Sequence, residues 1–308
     1  MPTPSSWAAA LTLARNVHTA IVFDSGSYRN VRADHFHMLP TWDGKNPIDF
    51  RDAAKKNTLE NYETVFYQNI GIQKATKNGE LFELTDEHGK VWQGRTCPWQ
   101  LASLMYQRTF QASPSAGAIA FSIACSAMGA SSAAVPPRIP IALHVSRNAA
   151  QLTRSVTIYT NGNTALASDL KAAMGPTAPF VVDSRRITKF ILGPDDKTGL
   201  TMHFEDGSSA KEKAFLAHKP KSKLKSDFLA RELGLALTPQ GDVQTRGPFG
   251  ETSLSGCFAG GDCASFLKTA PNVVNSDAKN AAGLASHIQS RMYGQKSLSE
   301  AMQDMGMK

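Results

Sequence analysis

The stretch that most constrains the fold lies near the C-terminus of this 308-residue chain. A short apolar run over residues 257–259 ends in Gly260-Gly261-Asp262, and a helical pattern follows from Val273 to Met292. A buried strand that delivers an acid beside a helix N-terminus is how an open α/β sheet holds a nucleotide. The sequence therefore predicts an α/β protein with a nucleotide site at the carboxyl end of this strand.

A second acid stands at a predicted strand end near the N-terminus. Residues 7–15 have strong helix propensity, and the apolar, β-branched run 19–23 ends in Asp24. Helix, strand and terminal acid form the second half of a Rossmann βαβ unit, in which the acid binds the adenosine ribose. The first half would be a strand and Gly-x-Gly-x-x-Gly, but residues 1–6 are Met-Pro-Thr-Pro-Ser-Ser. We expect the first strand and the glycine-rich loop to be missing, which would weaken dinucleotide binding.

Both acids lie in segments that carry a family resemblance. The residues after Asp24 are Ser-Gly-Ser-Tyr-Arg-Asn, and His35-Phe36-His37 comes next. Together with the Gly-Gly-Asp stretch, they resemble the FAD motifs of the thioredoxin reductase-like flavoproteins, and within them the fungal gliotoxin-type dithiol oxidases. The resemblance covers roughly residues 7–95 and 139–292. It implies two Rossmann-like dinucleotide-binding domains, with an FAD domain (1–110 and 236–308) split around a smaller central domain (111–235).

The resemblance also implies which residues contact FAD. Asp262 would accept hydrogen bonds from the ribitol or pyrophosphate end, and Thr269 and Ala270 would place a helix N-terminus near the flavin. The residues implied at the AMP half are Asp24, Ser25, Gly26, Ser27, Tyr28, Arg29 and Asn30. No metal site is predicted, because the nearby histidine pair lacks the further ligands that a metal requires.

The segment from Cys97 to Val135 breaks the family pattern. It lacks both the Ala-Thr-Gly crossover and the redox Cys-x-x-Cys, and the four cysteines, at 97, 125, 257 and 263, form no such pair. We therefore assign no catalytic residue and interpret Cys257 and Cys263 as buried structural cysteines. If the coding sequence is read in the shifted frame that begins at the third base of the Cys97 codon, the codons permitted for these residues allow both missing motifs. One hypothesis is that residues 97–130 are out of frame, and the alternative is a divergent linker.

Features of NADPH use are also missing from the predicted central domain. NADPH-using relatives place a His-Arg-Arg cluster after the strand at 155–159, because arginine forks bind a 2′-phosphate. This chain has Thr160-Asn161-Gly162-Asn163 there, and no Gly-x-Gly-x-x-Ala precedes the helix at 142–152. Both differences argue against ordinary NADPH use and favour another electron acceptor, such as O2.

The formal net charge of +7 could suggest nucleic acid as a partner. The densest basic segment, the lysines between 211 and 225, has no interleaved aromatic ladder, so a solvated face is the better interpretation. No apolar run is long enough to span a bilayer. We expect a cytoplasmic protein without nucleic-acid or membrane partners, and the resemblance implies a homodimer.

These observations predict an FAD-dependent oxidoreductase acting on sulfur groups. Its implied reaction is the oxidation of a small-molecule dithiol to a disulfide in fungal secondary metabolism, with O2 as acceptor. Two alternatives stay open: an NADPH-dependent thioredoxin reductase, and a truncated or frameshifted relative without catalytic activity. A basic nucleic-acid binder is a weaker third alternative.

Overall fold

The computed structural model describes residues 6–28, 30, 33–99, 103–105, 120–124, 138–192, 200–212, 215–218 and 222–306. The chain divides into two compact units, one formed by residues 1–104 with 222–308 and the other by residues 105–221. The predicted domain boundaries, at 110/111 and 235/236, each lie after the corresponding unit boundary, at 104/105 and 221/222. The domain assignment stays a prediction.

The N-terminal part of the chain alternates helices with short strands. Asn46 starts the second helix by accepting a hydrogen bond from the Ile48 N–H, and Pro47 occupies the first turn, where its missing N–H costs nothing. The elements are α1 (Ser6–Arg15), β1 (Ala20–Phe23), α2 (Pro47–Asn61), β2 (Val65–Gln68), β3 (Ile72–Asn78), β4 (Leu81–Asp86), β5 (Val91–Gly94), β6 (Cys97–Trp99) and β7 (Ser103–Met105).

The middle of the chain forms the second unit. Its strands and helices are β8 (Ala120–Ala124), α3 (Arg138–Ala150), β9 (Ser155–Tyr159), α4 (Thr164–Met174), β10 (Phe180–Asp183), β11 (Ile187–Leu192), β12 (Leu200–Phe204), β13 (Ser209–Glu212) and β14 (Phe215–His218). The order β10-β9-β8-β14 makes a wholly parallel sheet, and β11-β12-β13 is antiparallel. Helices α3 and α4 pack on the parallel sheet around Ile158 and Leu170, as expected for a βαβ fold.

The C-terminal part completes the first unit. It contains β15 (Ser222–Leu224), α5 (Asp227–Glu232), β16 (Thr245–Arg246), β17 (Glu251–Thr252), β18 (Cys257–Ala259), a 3-10 turn (Gly261–Cys263), α6 (Ala270–Met292) and α7 (Leu298–Asp304). The sheets of this unit are β1-β2, β16-β17-β18-β6, the antiparallel meander β3-β4-β5, and the pair β7-β15. Helices α1 and α6 pack together over Leu13, Phe258 and Leu284.

Most predicted elements are confirmed, but one expectation was wrong. The helices predicted at 7–15 and 273–292 and the strands predicted at 19–23 and 257–259 correspond to α1, α6, β1 and β18. The segment 97–135 showed no strand pattern, yet it contains β6, β7 and β8. Strand β6 pairs in parallel with β18, and β8 pairs with both β9 and β14. Pairing with neighbouring strands can override a weak local pattern.

Candidate functional site

Asp24 lies at the carboxyl end of β1, as predicted, and it is buried. Its Oδ1 accepts a hydrogen bond from the Gly26 N–H at 2.8 Å, and its Oδ2 accepts one from the Tyr28 hydroxyl at 2.7 Å. The first bond closes a tight turn, which Gly26 makes possible with a φ of +68°. An ionised carboxylate has about four acceptor positions, so Asp24 can accept a further hydroxyl besides these two donors.

Arg51 on α2 holds the far side of this loop. Its guanidinium carbon lies 3.9 Å from the centroid of the Tyr28 ring, and its Nη1 donates to Asn30 Oδ1 at 3.3 Å. Burial, reinforced by the Asp24 carboxylate, raises the pKa of the Tyr28 phenol, which therefore stays protonated and can donate to Asp24. The loop is thus fixed by a cation over an aromatic ring as well as by hydrogen bonds.

The two serines of the loop differ in their partners. Lys225 Nζ donates to the main-chain oxygen of Ser27 at 3.0 Å and also to its hydroxyl. The Ser25 hydroxyl is buried and has no hydrogen-bond partner among the described residues. A buried polar atom of this kind requires an explanation, and a bound polar ligand is one. The predicted contact Arg29 lies outside the described residues.

At the Asp262 loop, close packing against α6 requires glycine directly after β18. A Cβ at Gly260 would lie 2.2 Å from Asn280 Nδ2 and 2.7 Å from Asp277 Oδ1, both on α6. Gly261 adopts a φ of +63°, and its N–H donates to Ser276 Oγ at 2.7 Å. This turn delivers Asp262, which is buried, directly after the strand.

Lys268 fixes the loop that joins Asp262 to α6. Its Nζ donates to Asp242 Oδ1 at 2.9 Å, to the Ser265 carbonyl at 3.2 Å, and to the Asp262 carbonyl. The Lys268 and Asp242 side chains are only 7% and 14% exposed. The loop ends at Thr269, which precedes α6, and Ala270 is the first residue of that helix. Thr269 and Ala270 therefore lie at a helix N-terminus, as predicted.

The three cysteines within the described residues are Cys97, Cys257 and Cys263, and all are buried thiols outside any disulfide. Burial raises the pKa of Cys97 well above its ordinary value and that of Cys257 to about 12. Because the thiolate is the reactive form, neither of these two thiols is suited to attack a disulfide. The burial predicted for Cys257 and Cys263 is confirmed, their structural role stays a prediction, and Cys125 lies outside the described residues.

In the second unit, the turn after β9 caps a helix. Asn163 accepts a hydrogen bond from the Leu166 N–H at 2.9 Å and so begins α4. An arginine nonetheless comes close: a Cβ at Gly162 would lie 3.6 Å from Arg186 Cβ, and the Arg186 side chain is 66% exposed. The neighbouring Arg185 is engaged by Asp183, with Nε–O distances of 3.0 and 3.1 Å.

Several residues around these loops were not predicted from the sequence. Four residues hold the Asp24 and Asp262 loops from positions 6 to 201 residues away from the acid they serve: Arg51, Lys225, Asp242 and Lys268. Only Lys268 had a local signal, since it stands within the stretch between Asp262 and α6. The described residues include no helix that could span a membrane, and no cluster of three potential metal ligands.

The two loops can be compared with the requirements of FAD. The buried Ser25 hydroxyl and the acceptor positions left on Asp24 fit the hydroxyl-rich adenosine end. At the other strand end, buried Asp262 and the N-terminus of α6 fit a polar, electron-accepting group. The described residues therefore fit FAD at both strand ends, and the individual contacts stay predictions.

Proteins of known sequence show what the chain is related to. It is 35% identical over 306 residues to thioredoxin reductase tcpT of Claviceps purpurea, covering 96% of this chain and 94% of that protein. It is 33% identical to thioredoxin reductase sirT of Leptosphaeria maculans (91% and 90% covered) and 34% identical to thioredoxin reductase aclD of Aspergillus oryzae (92% and 93%). No protein-family model matches the chain.

Solved structures support the same fold. An oxidoreductase from Agrobacterium tumefaciens matches with a TM-score of 0.73 at 21% identity, covering 95% of this chain and 97% of that one. Thioredoxin reductase from Giardia duodenalis matches with a TM-score of 0.72 at 12% identity, covering 93% and 96%. The predicted α/β fold with Rossmann-like units is thus confirmed. The chain belongs to the thioredoxin reductase-like family, and a flavin-type thiol oxidoreductase is the class of protein that this membership supports.

Proposed function

We propose that this protein is an FAD-dependent oxidoreductase that converts a small-molecule dithiol to its disulfide, with O2 as the electron acceptor. Closing the disulfide releases two electrons and two protons, and reduction of O2 to H2O2 consumes them. When bound, FAD supplies the two-electron acceptor between these half-reactions. The observation that carries the proposal is the buried Ser25 hydroxyl, which has no partner among the described residues and lies beside a carboxylate at a strand end, in a chain of this family.

The chain's own residues would bind and orient the cofactor. Asp24 would accept ribose hydroxyls while the Tyr28 and Gly26 donors hold its carboxylate in place. Lys268 would keep Asp262 and the N-terminus of α6 in a fixed relation, because it binds the carbonyls between them. The helix N-terminus favours negative charge, which is the charge that a reduced flavin acquires.

A first experiment tests FAD binding through two buried serine hydroxyls. Ser25→Ala should weaken FAD binding severalfold with little loss of stability, because its hydroxyl has no partner to lose among the described residues. Ser299→Ala is the matched control, since its hydroxyl is likewise buried without a partner among the described residues but lies on α7, outside the predicted FAD contacts. Flavin absorbance retained after gel filtration gives the affinity. Equal effects of the two variants would remove the support for a ligand at Ser25.

A second experiment tests turnover. The FAD-loaded protein is mixed with dithiothreitol as the dithiol, first without oxygen and then in air. Bleaching of the flavin followed by H2O2 release supports the proposal. A protein that binds FAD but is not bleached by the dithiol is the non-catalytic relative, which the buried thiols of Cys97 and Cys257 favour.

One observation favours the NADPH-dependent alternative. Arg186 lies beside Gly162 at the turn after β9, and its side chain is exposed. It could therefore bind a 2′-phosphate, although it does not follow β9 directly in the sequence. Rapid bleaching of the flavin by NADPH, lost in Arg186→Ala and retained in Arg185→Ala, would establish this alternative. A homodimer, implied by the family resemblance, is part of the proposal and is tested by sedimentation.

A further inference from the structure

Two buried cysteines face each other across the parallel strand pair β6–β18. Cys97 begins β6, Cys257 begins β18, and the register of the pair places them directly opposite each other. The Cys97 N–H donates to the Gly256 carbonyl at 3.1 Å, in keeping with this register. Because side chains alternate between the two faces of a sheet, residues opposite each other share one face. Both side chains accordingly belong to one apolar core cluster, which also contains Leu224 and Val243.

The spacing of the two strands suits a covalent link between these side chains. Neighbouring strands lie about 4.7–4.9 Å apart, and a disulfide usually joins Cα atoms about 4.4–6.8 Å apart. The sulfur atoms also lie within each other's electrostatic reach. Burial raises the pKa of Cys97, and the neighbouring Cys257 sulfur raises it further. The register thus meets the backbone distance that a disulfide requires.

A third buried cysteine differs from this pair in its position. Cys263 lies in the 3-10 turn after β18, and its Sγ donates to the Gly260 carbonyl at 3.0 Å. It is as fully buried as Cys257 and belongs to the same core cluster. Burial therefore does not distinguish these two cysteines, whereas the place opposite Cys97 does.

We propose that Cys97 and Cys257 form a site of oxidative modification, at which hydrogen peroxide converts the two thiols to a disulfide that joins β6 to β18. The Cys97 sulfur attacks a peroxide oxygen, the O–O bond breaks, and one water leaves as a sulfenic acid forms. The Cys257 sulfur then attacks the sulfenic sulfur, so the S–S bond forms, the S–O bond breaks and a second water leaves. The two thiols lose two electrons and two protons, and one peroxide takes them up.

The burial of the two thiols sets the order and the rate of these steps. Cys97 is 5% exposed and Cys257 is not exposed at all, so peroxide reaches Cys97 first. Burial raises the pKa of Cys257 to about 12, although the Thr252 hydroxyl and the Lys77 ammonium partly offset it. Because the thiolate is the reactive form, oxidation is slow compared with that of an exposed cysteine. The modification depends neither on FAD nor on the proposed reaction.

Peptide mapping tests the link directly. The full chain without FAD is incubated with hydrogen peroxide, which catalase then removes. Remaining thiols are alkylated in urea, and the chain is digested with trypsin without reductant. We expect peptide 96–108, which carries Cys97, to be linked to peptide 247–268, which carries both Cys257 and Cys263. The linked species should be two hydrogen atoms lighter than the sum of the two peptides and should separate on reduction.

Two alanine variants assign the second sulfur. Cys257→Ala should lose the linked species, and Cys263→Ala, the matched control, should retain it. A link that survives Cys257→Ala but not Cys263→Ala would overturn the proposal. A link to the peptide that carries Cys125, or a sulfinic acid at Cys97 without any link, would also overturn it. Should Cys257→Ala fail to fold, fragmentation of the linked peptides from the natural chain still identifies the sulfur.

Thermal unfolding shows whether the link fits the folded protein. The first unit is built from two chain segments, 1–104 and 222–308, and the disulfide would join them covalently. A link that closes a long loop restricts the unfolded chain and so stabilises the fold. The oxidised chain should therefore melt about 5 °C above the reduced chain, and Cys257→Ala should lose this difference. A lower Tm after oxidation would show that the link distorts the strands and would reject the site.

Discussion

The Asp24 loop and the Asp262 loop each present an acid at the carboxyl end of a strand, but they are built differently. At Asp24 the chain is held by charge and polar contacts from Tyr28, Arg51 and Lys225, and a Cβ at Gly26 would meet no atom within 4 Å. At Asp262 the chain is held by close packing against α6, and a Cβ at Gly260 would overlap Asn280. The comparison teaches that an acid at a strand end can be held by polar contacts with space left beside the chain, as in the open Asp24 loop, or by close packing that leaves no space, as in the rigid Asp262 loop.

The largest expected effect tests the part-buried ion pair of the rigid loop. Lys268→Met should lower the free energy of unfolding by about 4 kcal/mol, because it leaves the part-buried Asp242 carboxylate without its cation and two main-chain carbonyls without their donor. Urea denaturation measures the loss. The double variant Lys268→Met/Asp242→Leu should recover part of it, since no unpaired charge then remains. A loss of less than about 1 kcal/mol, typical of a surface pair, would show that this loop is not held from within.

The next largest effect compares a glycine in close packing, Gly260, with a glycine beside open space, Gly26. Gly260→Ala should cost about 3 kcal/mol, because its Cβ would lie 2.2 Å from Asn280 Nδ2. The matched change Gly26→Ala should cost about 1 kcal/mol, which is the penalty of its left-handed φ alone. Thermal or urea unfolding of both variants gives the difference. If Gly26→Ala were the more damaging change, the contrast between the two loops would be reversed.

A smaller effect is expected from the polar contact of the open loop. Tyr28→Phe removes the 2.7 Å hydrogen bond to Asp24 and should cost about 1 kcal/mol. Tyr62→Phe is the control, because the one hydrogen bond of its hydroxyl among the described residues is the exposed 3.4 Å contact from Arg15. Both variants are compared by urea unfolding. Similar small losses for the two tyrosines would mean that the Asp24 loop is not stabilised by this bond.

The smallest effect concerns the pH dependence of stability near the C-terminal end of α6, the helix against which the rigid loop packs. Burial lowers the pKa of His287, which lies 3.9 Å from Glu251 Oε1 through its Nδ1. Because the folded protein binds the proton less readily than the unfolded chain, this contribution is present above about pH 6.5 and is lost as the pH falls below it. We expect a loss of less than about 1 kcal/mol between pH 7 and pH 5.5.

His287→Gln should flatten this dependence more than His18→Gln. Burial also lowers the pKa of His18, but that side chain is more open to solvent. Unfolding curves at the two pH values decide between them. If His287→Gln left the change in the free energy of unfolding between the two pH values unaltered, the pH dependence would belong to other groups.

Much of the fold could be predicted from local sequence patterns. The helix and strand before Asp24 and the long helix after Ala270 have strong periodicity or propensity, and each was found within a few residues of its bounds. The strands β6 and β8 were missed because short strands carry little local signal and are defined by their partners. The placement of Asp24 and Asp262 after two strands was predicted correctly, whereas the groups that hold their loops were not predicted, and the FAD contacts stay predictions.

The sequence by itself determined that two acids end two strands and that one of them is followed by a helix N-terminus. These are relations between residues close in the chain, and chain geometry alone enforces them. Only the tertiary structure decided that Arg51 and Lys225 hold the first loop, that Lys268 and Asp242 hold the second, and that Arg186 stands beside Gly162. Such contacts join distant segments through packing and burial, for which a local sequence pattern contains no information.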